Sequence, residues 1–241
     1  FKGDVWSFEV EPIAYAITPI AVTASSSSGV DVGPGKTIDG SGINDLDQHG
    51  TSGADMWLSS GSDPECWIQY EFDKAHKLHE LMVWNANQVI ESFIGLGAKD
   101  VSIETSIDGQ TWTILEDVPQ FAQAPGAEGY AHNTTVDFTG RVARFVRLVI
   151  HSGWGSVPQY GLSEVRFFSI PTKARAPQPA DGSVVNGLDV ILQWRPGRDA
   201  TSHEILLSAD PAAIEGGSAV VAIVNENSYT PDPLNLATTY T

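Results

Sequence analysis

Residues 99–115, KDVSIETSIDGQTWTIL, decide how this chain is expected to fold. Apolar and polar residues alternate through DVSIETS, which is the pattern of a strand with one buried face. Asp108 and Gly109 follow, and an Asp-Gly pair tolerates the positive φ that a tight turn requires. The chain then resumes as TWTIL, which is rich in β-branched and aromatic side chains. The segment therefore predicts a β-hairpin.

Similar short runs recur on both sides of this hairpin, separated by Gly, Asp, Pro and Ser. They include WIQYEF (67–72), ARFVRLVIH (143–151) and SEVRFFSI (163–170). Helical periodicity is nearly absent, so the chain is expected to be all-β, an antiparallel β-sandwich or jelly roll. Four tryptophans alternate with polar residues in these runs and are expected in the core: Trp67, Trp84, Trp112 and Trp194.

Length and charge narrow the classes of function. The 241 residues give room for one large domain or two ordinary ones. The formal net charge of −17 disfavours binding to nucleic acid or to anionic membranes. No apolar run is long enough to cross a bilayer. This composition suits a secreted or cell-surface protein. The single cysteine, Cys66, precludes an internal disulfide and is expected only to pack.

A proline-bearing stretch, PTKARAPQPADGS at 171–183, marks a linker that runs into an edge strand. We therefore expect one β domain over residues 12–171 and another over residues 172–241. The second resembles the early strands of a fibronectin type III or immunoglobulin-like sandwich and lacks the last strands. Residues 1–11 are predicted to be the final strand of a preceding module of that kind. In that strand, Trp6 and Phe8 share one face and should be buried together.

Six segments, in order along residues 13–170, resemble the landmarks of a discoidin domain. They are TIDGSG, DMWLSS, WIQYEFD, KDVSIETSIDGQTWTIL, ARFVRLVI and YGLSEVRFF. Discoidin domains are also called coagulation factor V/VIII type C domains, and they include the family 32 carbohydrate-binding modules. The resemblance implies an antiparallel jelly roll that binds a ligand without catalysing a reaction.

The resemblance also implies a structural Ca²⁺ between the early Asp-Gly loop and a glutamate near the last strand. Ca²⁺ takes six to eight oxygen ligands, and a glycine-rich loop can aim backbone carbonyls at it. Carried over to this chain, the set is the carboxylates of Asp39 and Glu164, the carbonyls of Lys36 and Ser41, and, as further candidates, Asn44 or Asp45 and the carbonyl of Ser163. The alternative is a turn whose aspartates bond their own backbone.

In sugar-binding relatives the ligand lies across loops at one end of the sandwich, which here are residues 46–60, 85–97 and 152–161. The resemblance implies ligand contacts by His49, Asn85, Asn87, Trp154, Gln159 and Tyr160. Trp154 has a glycine on each side and lies outside any alternating run, so it is the best candidate for stacking on a sugar. Its alternative is a ring folded over the end of the sandwich. Leu58 stands where many sugar-binding relatives have a polar residue, and the arginine often found near Asn87 is missing.

The leading hypothesis is a glycan-binding or adhesion module, with a structural Ca²⁺, in a large secreted or surface protein of repeated domains. The rival is a structural repeat of an extracellular filament, assembled by strand exchange between neighbouring copies and binding no glycan. Neither hypothesis involves nucleic acid or membrane insertion. No catalytic residue is expected, because acid pairs such as Glu65 with Glu71 lie on loops or solvent faces and no G-x-S-x-G elbow occurs.

Overall fold

The computed structural model describes residues 7–18 and 20–241. The chain divides into two compact units, one that ends at Ile170 and one that spans Pro171–Thr241. Both units are built from antiparallel strands, and the prediction of an all-β, antiparallel fold is confirmed. No helix in the described residues is long and apolar enough to cross a membrane.

The first unit contains eleven strands among its described residues. They are β1 (Tyr15–Ala16), β2 (Ile20–Ala24), β3 (Gln48–His49), β4 (Trp57–Leu58), β5 (Trp67–Asn85), β6 (Val101–Ser106), β7 (Thr113–Ile114), β8 (Tyr130–Ala131), β9 (Thr134–Asp137), β10 (Val142–Ile150) and β11 (Gly161–Ile170). Helical segments are short: α1 (Glu91–Ile94) and the 3₁₀ turns Val30–Val32, Pro34–Thr37 and Gly53–Asp55.

The long strand β5 organises this unit because its two halves pair with different partners. Residues 67–77 pair with β10, and residues 68–72 also pair with β2. Residues 77–85 pair with β11, while β9 pairs with residues 80–83. The partners change at Lys77, so the strand joins two groups of neighbours and carries apolar side chains from both into one core.

The core contains the residues that the alternating runs predict to point inward. Tyr70, Phe72 and Phe167 are almost completely buried, and the ring of Phe167 lies 5.0 Å from that of Tyr70 and 5.2 Å from that of Phe72. Burial of each such side chain stabilises the fold by roughly 1.5–3 kcal/mol. Cys66 is buried and forms no disulfide, as predicted. Burial raises the pKa of its thiol to about 11, which keeps the thiol unreactive at neutral pH.

Two of the four tryptophans expected in the core lie on the outer face of the sheet instead. Trp84 is buried, but Trp67 and Trp112 are only partly so. The guanidinium carbon of Arg147 lies 5.3 Å from the ring centre of Trp67 and 4.0 Å from that of Trp112. Arg147 also reaches Glu104 at 3.4 Å. Alternation with polar residues predicted that these indoles are core residues, but both lie against this cation on the outer side of the sheet.

The predicted hairpin is present, with a longer loop than an Asp-Gly turn. β6 and β7 pair through Glu104–Ile114 and Thr105–Thr113, and residues 107–112 connect the two strands. Gly109 has φ of +74°, and Asp108 Oδ1 accepts hydrogen bonds from the backbone N–H groups of Gln110 and Thr111. These bonds hold the pKa of the Asp108 carboxyl at about 2.

The second unit contains five strands and one short helix, α2 (Pro211–Glu215). The strands are β12 (Arg175–Gln178), β13 (Leu192–Arg195), β14 (His203–Leu206), β15 (Val220–Val224) and β16 (Ser228–Tyr229). β13 lies between β12 and β16 in one sheet, and β14 pairs with β15 in another. Trp194 is partly buried and its ring lies 5.2 Å from that of His203. The assignment of the second unit as a fibronectin-like module stays a prediction.

The strand predicted over residues 3–10 is not seen in the part that the structure describes. Residues 7–10 have no strand assignment, and both Phe8 and Val10 are exposed. Trp6 and the rest of the predicted strand lie outside the described residues.

Candidate functional site

Four loops meet at one end of the first unit. Loop 151–160 bonds loop 86–100 through the backbone N–H of Trp154, which donates to Gly97 O at 3.2 Å. It bonds loop 50–66 through Ser59 N–H, which donates to Tyr160 O at 2.8 Å. Three of these loops were predicted from the sequence, and the fourth, residues 115–129, was not. That stretch has no alternation, so its length is the one signal in the sequence that could have indicated a loop packed over the fold.

Asn85 lies at the base of this end and is completely buried. Its side-chain N–H₂ donates to Ala98 O at 2.7 Å and to Ala122 O at 2.8 Å, and its side-chain oxygen accepts from Ala86 N–H at 3.0 Å. The amide is fully occupied, so the predicted role of Asn85 as a ligand contact gives way to a structural one.

Asn87, two residues further along the chain, is bonded in a similar way. It is also completely buried. Its N–H₂ donates to Gly50 O at 3.0 Å and Ala127 O at 2.8 Å, while its oxygen accepts from the N–H groups of Gly126 and Ala127. Asn87 therefore ties loop 115–129 to loop 50–66, and a sugar hydroxyl would have to displace backbone to reach it.

His49 is enclosed as well. It lies in β3, opposite Tyr130 of β8, with none of its surface exposed. Its Nδ1 lies 2.8 Å from Gly50 O, whereas its Nε2 has no hydrogen-bond partner among the described residues. Gly42 packs directly on the ring, since a Cβ there would lie 2.7 Å from Nε2. His49 could meet a ligand only if this loop opened.

Trp154 is the predicted ligand residue that does reach the surface. Its side chain is 38% exposed, and its indole N–H donates to Phe121 O at 3.0 Å, which fixes the ring. Lys99 Nζ lies 4.9 Å from the ring centre and covers part of it. The ring is therefore neither folded away nor fully free, and its open part faces solvent at the end of the sandwich.

Gln159 and Tyr160 lie on the same loop as Trp154. The side-chain N–H₂ of Gln159 donates to Ser59 O at 2.9 Å, and the backbone N–H of Tyr160 donates to Ser59 Oγ at 2.9 Å. The Tyr160 side chain is half-buried and packs against the core. Gln159 keeps one amide hydrogen and its side-chain oxygen for a ligand.

Apolar residues of α1 and its neighbours were not foreseen at this end. Phe93 is 89% exposed, the second largest exposed fraction after Val30 among the large apolar side chains that the structure describes in this unit. Four others are exposed near it in sequence or on the adjoining loop: Val89, Ile90, Ile94 and Val157. The stretch VIESFIG (89–95) lacks the alternation of a strand, and this was the one signal in the sequence that its apolar residues do not point into the core.

The loops that carry Phe93 and Trp154 are packed backbone against backbone. A Cβ on Gly155 would lie 1.6 Å from Ile94 O, and a Cβ on Gly95 would lie 2.3 Å from Gly155 N. Gly155 N–H donates to Gly95 O at 2.9 Å. Gly95 also has φ of +67°, a conformation that favours glycine. Only glycine fits at either position, so the two loops hold one relative position.

A buried carboxylate secures α1 from below. Glu91 has no exposed surface, and it accepts hydrogen bonds from Leu96 N–H at 2.9 Å and Gly97 N–H at 3.1 Å. Gln123 donates to the Glu91 carbonyl at 3.0 Å. Burial raises the pKa of the Glu91 carboxyl, and these hydrogen bonds oppose that shift only in part.

The predicted metal site centres on Glu164, which is 4% exposed. Its Oε2 accepts from Gly40 N–H at 3.3 Å, and its Oε1 lies 4.0 Å from Arg166 Nε. Burial raises the pKa of this carboxyl to about 8, and the nearby Asp39 charge adds to the shift, although Arg166 and Gly40 oppose it. Arg166 is drawn mainly to Asp47, whose Oδ1 lies 2.6 Å away.

Asp39 and Ser41 lie on the Asp-Gly loop, on either side of Gly40, which bonds Glu164. Asp39 Oδ1 accepts from Ser41 N–H at 2.8 Å, and Oδ2 lies 3.4 Å from Lys36 Nζ. Burial acts to raise the Asp39 pKa, but the bonds with Ser41 and the Lys36 charge outweigh it and lower the pKa. Ser41 Oγ is buried and has no hydrogen-bond partner among the described residues. Asp39 and Glu164 both line a surface pocket of about 500 Å³.

The remaining predicted ligands differ in how free they are. Asn44 Oδ1 accepts from the N–H groups of Leu46 and Gln48, so this side chain caps its own loop. Asp45 is exposed. Ser163 is buried, and its hydroxyl donates to Asn85 O at 2.8 Å, which leaves only its carbonyl as a candidate.

The donor set is compatible with Ca²⁺ and not with a metal that needs many side chains. No group of three or more His, Cys, Asp or Glu in residues 7–18 and 20–241 could hold a metal ion. Two carboxylates, a buried unpaired hydroxyl and a glycine-rich loop are oxygen donors of the kind that Ca²⁺ accepts.

Comparison with known proteins places the chain in a family. Residues 21–165 match the model of the F5/8 type C domain, and the chain belongs to that family. Comparison with curated protein sequences found no significant match.

Three solved structures illustrate what the chain is similar to. One is the family 32 carbohydrate-binding module of Clostridium perfringens NanJ in complex with galactose, at 18% identity and a TM-score of 0.47, covering 65% of this chain and 100% of that one. Another is a family 32 module from a C. perfringens family 31 glycoside hydrolase, at 18% identity and a TM-score of 0.49, covering 65% of this chain and 95% of that one. The third is an F5/8 type C domain from Bacteroides fragilis, at 16% identity and a TM-score of 0.45, covering 66% of this chain and 98% of that one.

Proposed function

We propose that the first unit is a carbohydrate-binding module without catalytic activity, and that it binds a glycan at the loop end around Trp154. One observation supports this most directly. A partly exposed indole is fixed by the hydrogen bond to Phe121 at the end of a discoidin-type sandwich. An aromatic ring held in this way can stack on the apolar face of a sugar with little loss of conformational entropy.

The affinity for a single sugar is expected to be modest. A dissociation constant of about 1 mM corresponds to about −4 kcal/mol. Such sites become effective when several act together, because the second binding event is then intramolecular. This favours a role within a secreted or surface protein of several domains, where the module holds the protein on a glycan-bearing surface.

We also propose that Asp39 and Glu164 hold a structural Ca²⁺. The buried Glu164 carboxylate accepts a long hydrogen bond from Gly40 N–H at 3.3 Å and lies 4.0 Å from Arg166 Nε. Ser41 Oγ, on the same loop as Gly40, is buried and has no hydrogen-bond partner among the described residues. When bound, the ion would supply positive charge and oxygen coordination there. Asp39 and Glu164 would then join the Asp-Gly loop to β11, with carbonyls of Lys36, Ser41 and Ser163 as further donors.

A glycan-array screen, run with Ca²⁺ and again with EDTA, tests both proposals. Binding of a defined glycan class that Trp154→Ala removes is the expected result. Absence of binding to any glycan, with folded protein in both buffers, contradicts the proposed function. A response that EDTA leaves unchanged contradicts only a contribution of the metal to the site.

A structural repeat is the second candidate function, and one feature of the second unit favours it. β15 pairs only with β14 among the described residues, and it exposes Val220, Val221 and Ile223. An apolar strand with an open edge is suited to pair with a strand from another copy. Sedimentation velocity as a function of concentration distinguishes the candidates, since a glycan-binding module needs no self-association.

A further inference from the structure

Five strands of the first unit, β2, β5, β10, β6 and β7, form a stretch of sheet whose outer side carries its own set of side chains. The register places one row of residues across them: Thr23, Gln69, Arg147, Glu104 and Ile114. Residues that lie opposite one another in an antiparallel pair point to the same face. Arg147 lies between the core residues Val146 and Leu148, so this row points away from the core.

Three aromatic rings lie on this outer side and are linked through Arg147. Its guanidinium carbon lies 5.3 Å from the ring centre of Trp67 and 4.0 Å from that of Trp112. The ring of Phe145, two residues before Arg147 in β10, lies 6.4 Å from that of Trp112. All three side chains are only partly buried. The outer-face cluster comprises these rings with Gln69, Glu104 and Arg147.

Hydrogen bonds fix the cation that joins the rings. Arg147 Nε and Nη2 donate to Gln69 Oε1 at 3.1 and 2.8 Å, and Nη1 donates to Glu104 Oε2 at 3.4 Å. These bonds leave the guanidinium little freedom to turn, so the two indoles keep their places against it. A surface that is already ordered loses little conformational entropy when a ligand binds.

Both donors and acceptors remain on this cluster for a ligand. Arg147 uses three of its five N–H groups in these bonds. Neither the Gln69 N–H₂ nor Glu104 Oε1 takes part in a hydrogen bond with a described residue. A sugar presents an apolar ring face and hydroxyls that both donate and accept, and aromatic rings beside mixed polar groups match that combination.

The charges on this side of the sheet are balanced, which favours an uncharged ligand. Arg147 is paired with Glu104, and Arg144 Nη2 lies 2.7 Å from Glu71 Oε1. The second pair borders the cluster, because the Arg144 guanidinium carbon lies 5.3 Å from the ring centre of Phe145. The chain as a whole carries a formal charge of −17 and repels polyanions, whereas a neutral polysaccharide meets no such opposition.

The size of the surface favours an extended chain of sugars over a folded partner. With ordinary sheet spacings, five strands span about 19 Å and residues 145–149 about 14 Å, an area of roughly 270 Å². A stable protein interface buries about 800 Å² per partner, which is far more than this surface provides. A chain of linked sugar rings is narrow and fits on such a strip.

We propose that the outer-face cluster is a second binding site, for a neutral oligosaccharide chain. The indoles of Trp67 and Trp112 stack on sugar rings, and the polar side chains of the cluster bond the hydroxyls. The site goes beyond the function proposed for the loop end, since Trp154 has no part in it.

Affinity electrophoresis of the full chain in native gels tests the proposal. The probes are the soluble neutral polysaccharides hydroxyethylcellulose, xyloglucan and galactomannan, with alginate and polygalacturonate as acidic counterparts. Trp154→Ala serves as the starting protein, because it removes the ring of the loop-end site. We expect at least one neutral polysaccharide to retard this variant and neither acidic one to do so.

Further substitutions in that background locate the site. Trp112→Ala should weaken binding of the retarding polysaccharide about tenfold, and Trp112→Phe should fall between because a ring remains. Gln69→Ala should weaken it about threefold through the loss of a hydrogen bond. Ile107→Ala removes an exposed side chain of the same hairpin outside the cluster, and it should leave binding unchanged. Urea unfolding shows that each variant is folded.

Four results would overturn the proposal. One is that no neutral polysaccharide retards the chain, and another is that only the acidic ones do. A third is that folded Trp112→Ala and Gln69→Ala bind as tightly as the starting protein, so that the cluster only stabilises the sheet. The fourth is that Trp112→Ala abolishes self-association in sedimentation, which would make the surface a contact between copies. The function proposed for the loop end fails by a different result, in which Trp154→Ala leaves glycan-array binding unchanged.

Discussion

The two buried asparagines of the loop end and the Asp39–Glu164 site differ in how their polar groups are paired. At the loop end, Asn85 and Asn87 are completely buried and hydrogen-bonded to backbone on all sides. At the carboxylate site, Ser41 Oγ is buried and unpaired, and Glu164 is buried with a raised pKa. Since buried polar groups are nearly always paired, the difference separates residues that hold a loop from residues suited to an ion.

Substitution of Asn87 should break the fold more than it affects any ligand. Asn87→Ala leaves buried backbone groups of residues 50, 126 and 127 without partners, and we expect a loss of about 3–4 kcal/mol in the free energy of unfolding. Urea unfolding measures this, with Asn133→Ala, an exposed amide, as the milder control. A loss below about 1 kcal/mol, together with abolished glycan binding, would restore Asn87 as a ligand contact.

Removal of the proposed calcium ion should lower the thermal stability of the protein through the Asp39–Glu164 site. An ion that binds only the folded state stabilises it by about 2.7 kcal/mol when its concentration is 100 times its dissociation constant. EDTA should therefore lower the Tm, and Asp39→Ala should abolish that sensitivity. Asp45→Ala provides a neighbouring control that should keep the response. A melting curve indifferent to EDTA would leave Glu164 as a buried carboxyl without a metal.

The ring of Trp154 should matter to binding far more than to stability. Trp154→Ala should weaken the glycan found by the array by about 2 kcal/mol, because an aromatic anchor typically carries that share of binding energy. Trp154→Phe keeps a ring but loses the N–H that bonds Phe121, so it should fall between. Isothermal titration measures both. Unchanged affinity of the alanine variant would move the site elsewhere on the loops.

Glu91 should give the smallest effect, seen as a dependence of stability on pH. Because burial raises the pKa of its carboxyl in the folded state, unfolding becomes easier as pH rises above the ordinary value of 4.5. Glu91→Gln removes that titration, so the free energy of unfolding of the unmodified protein should fall relative to that of the variant as pH rises. Parallel curves for the two proteins between pH 4.5 and 7 would show that Glu91 does not titrate in this way.

The strands were predictable, and the state of individual side chains was not. Alternation located β5, β6, β10 and β11 because their inward residues form one core. Alternation cannot say which face is inward when both bear aromatic residues, and Trp67 and Trp112 were misplaced for that reason. Likewise, the residue type Asn at position 87 is equally suited to a sugar or to backbone. Only the packing of loop 115–129, which has no sequence period, decides between them.

The cation between Trp67 and Trp112 also has an optical consequence. A guanidinium 4.0 Å from one ring centre and 5.3 Å from the other is expected to perturb the emission of both indoles. Trp154 lies on a loop at the end of the sandwich, whereas Trp67 and Trp112 lie against Arg147 on the outer side of the sheet. These three of the chain's seven tryptophans thus occupy two kinds of environment. Trp154 is placed to report on a bound ligand, and the Arg147 pair is placed to report on whether the sheet beneath it is intact.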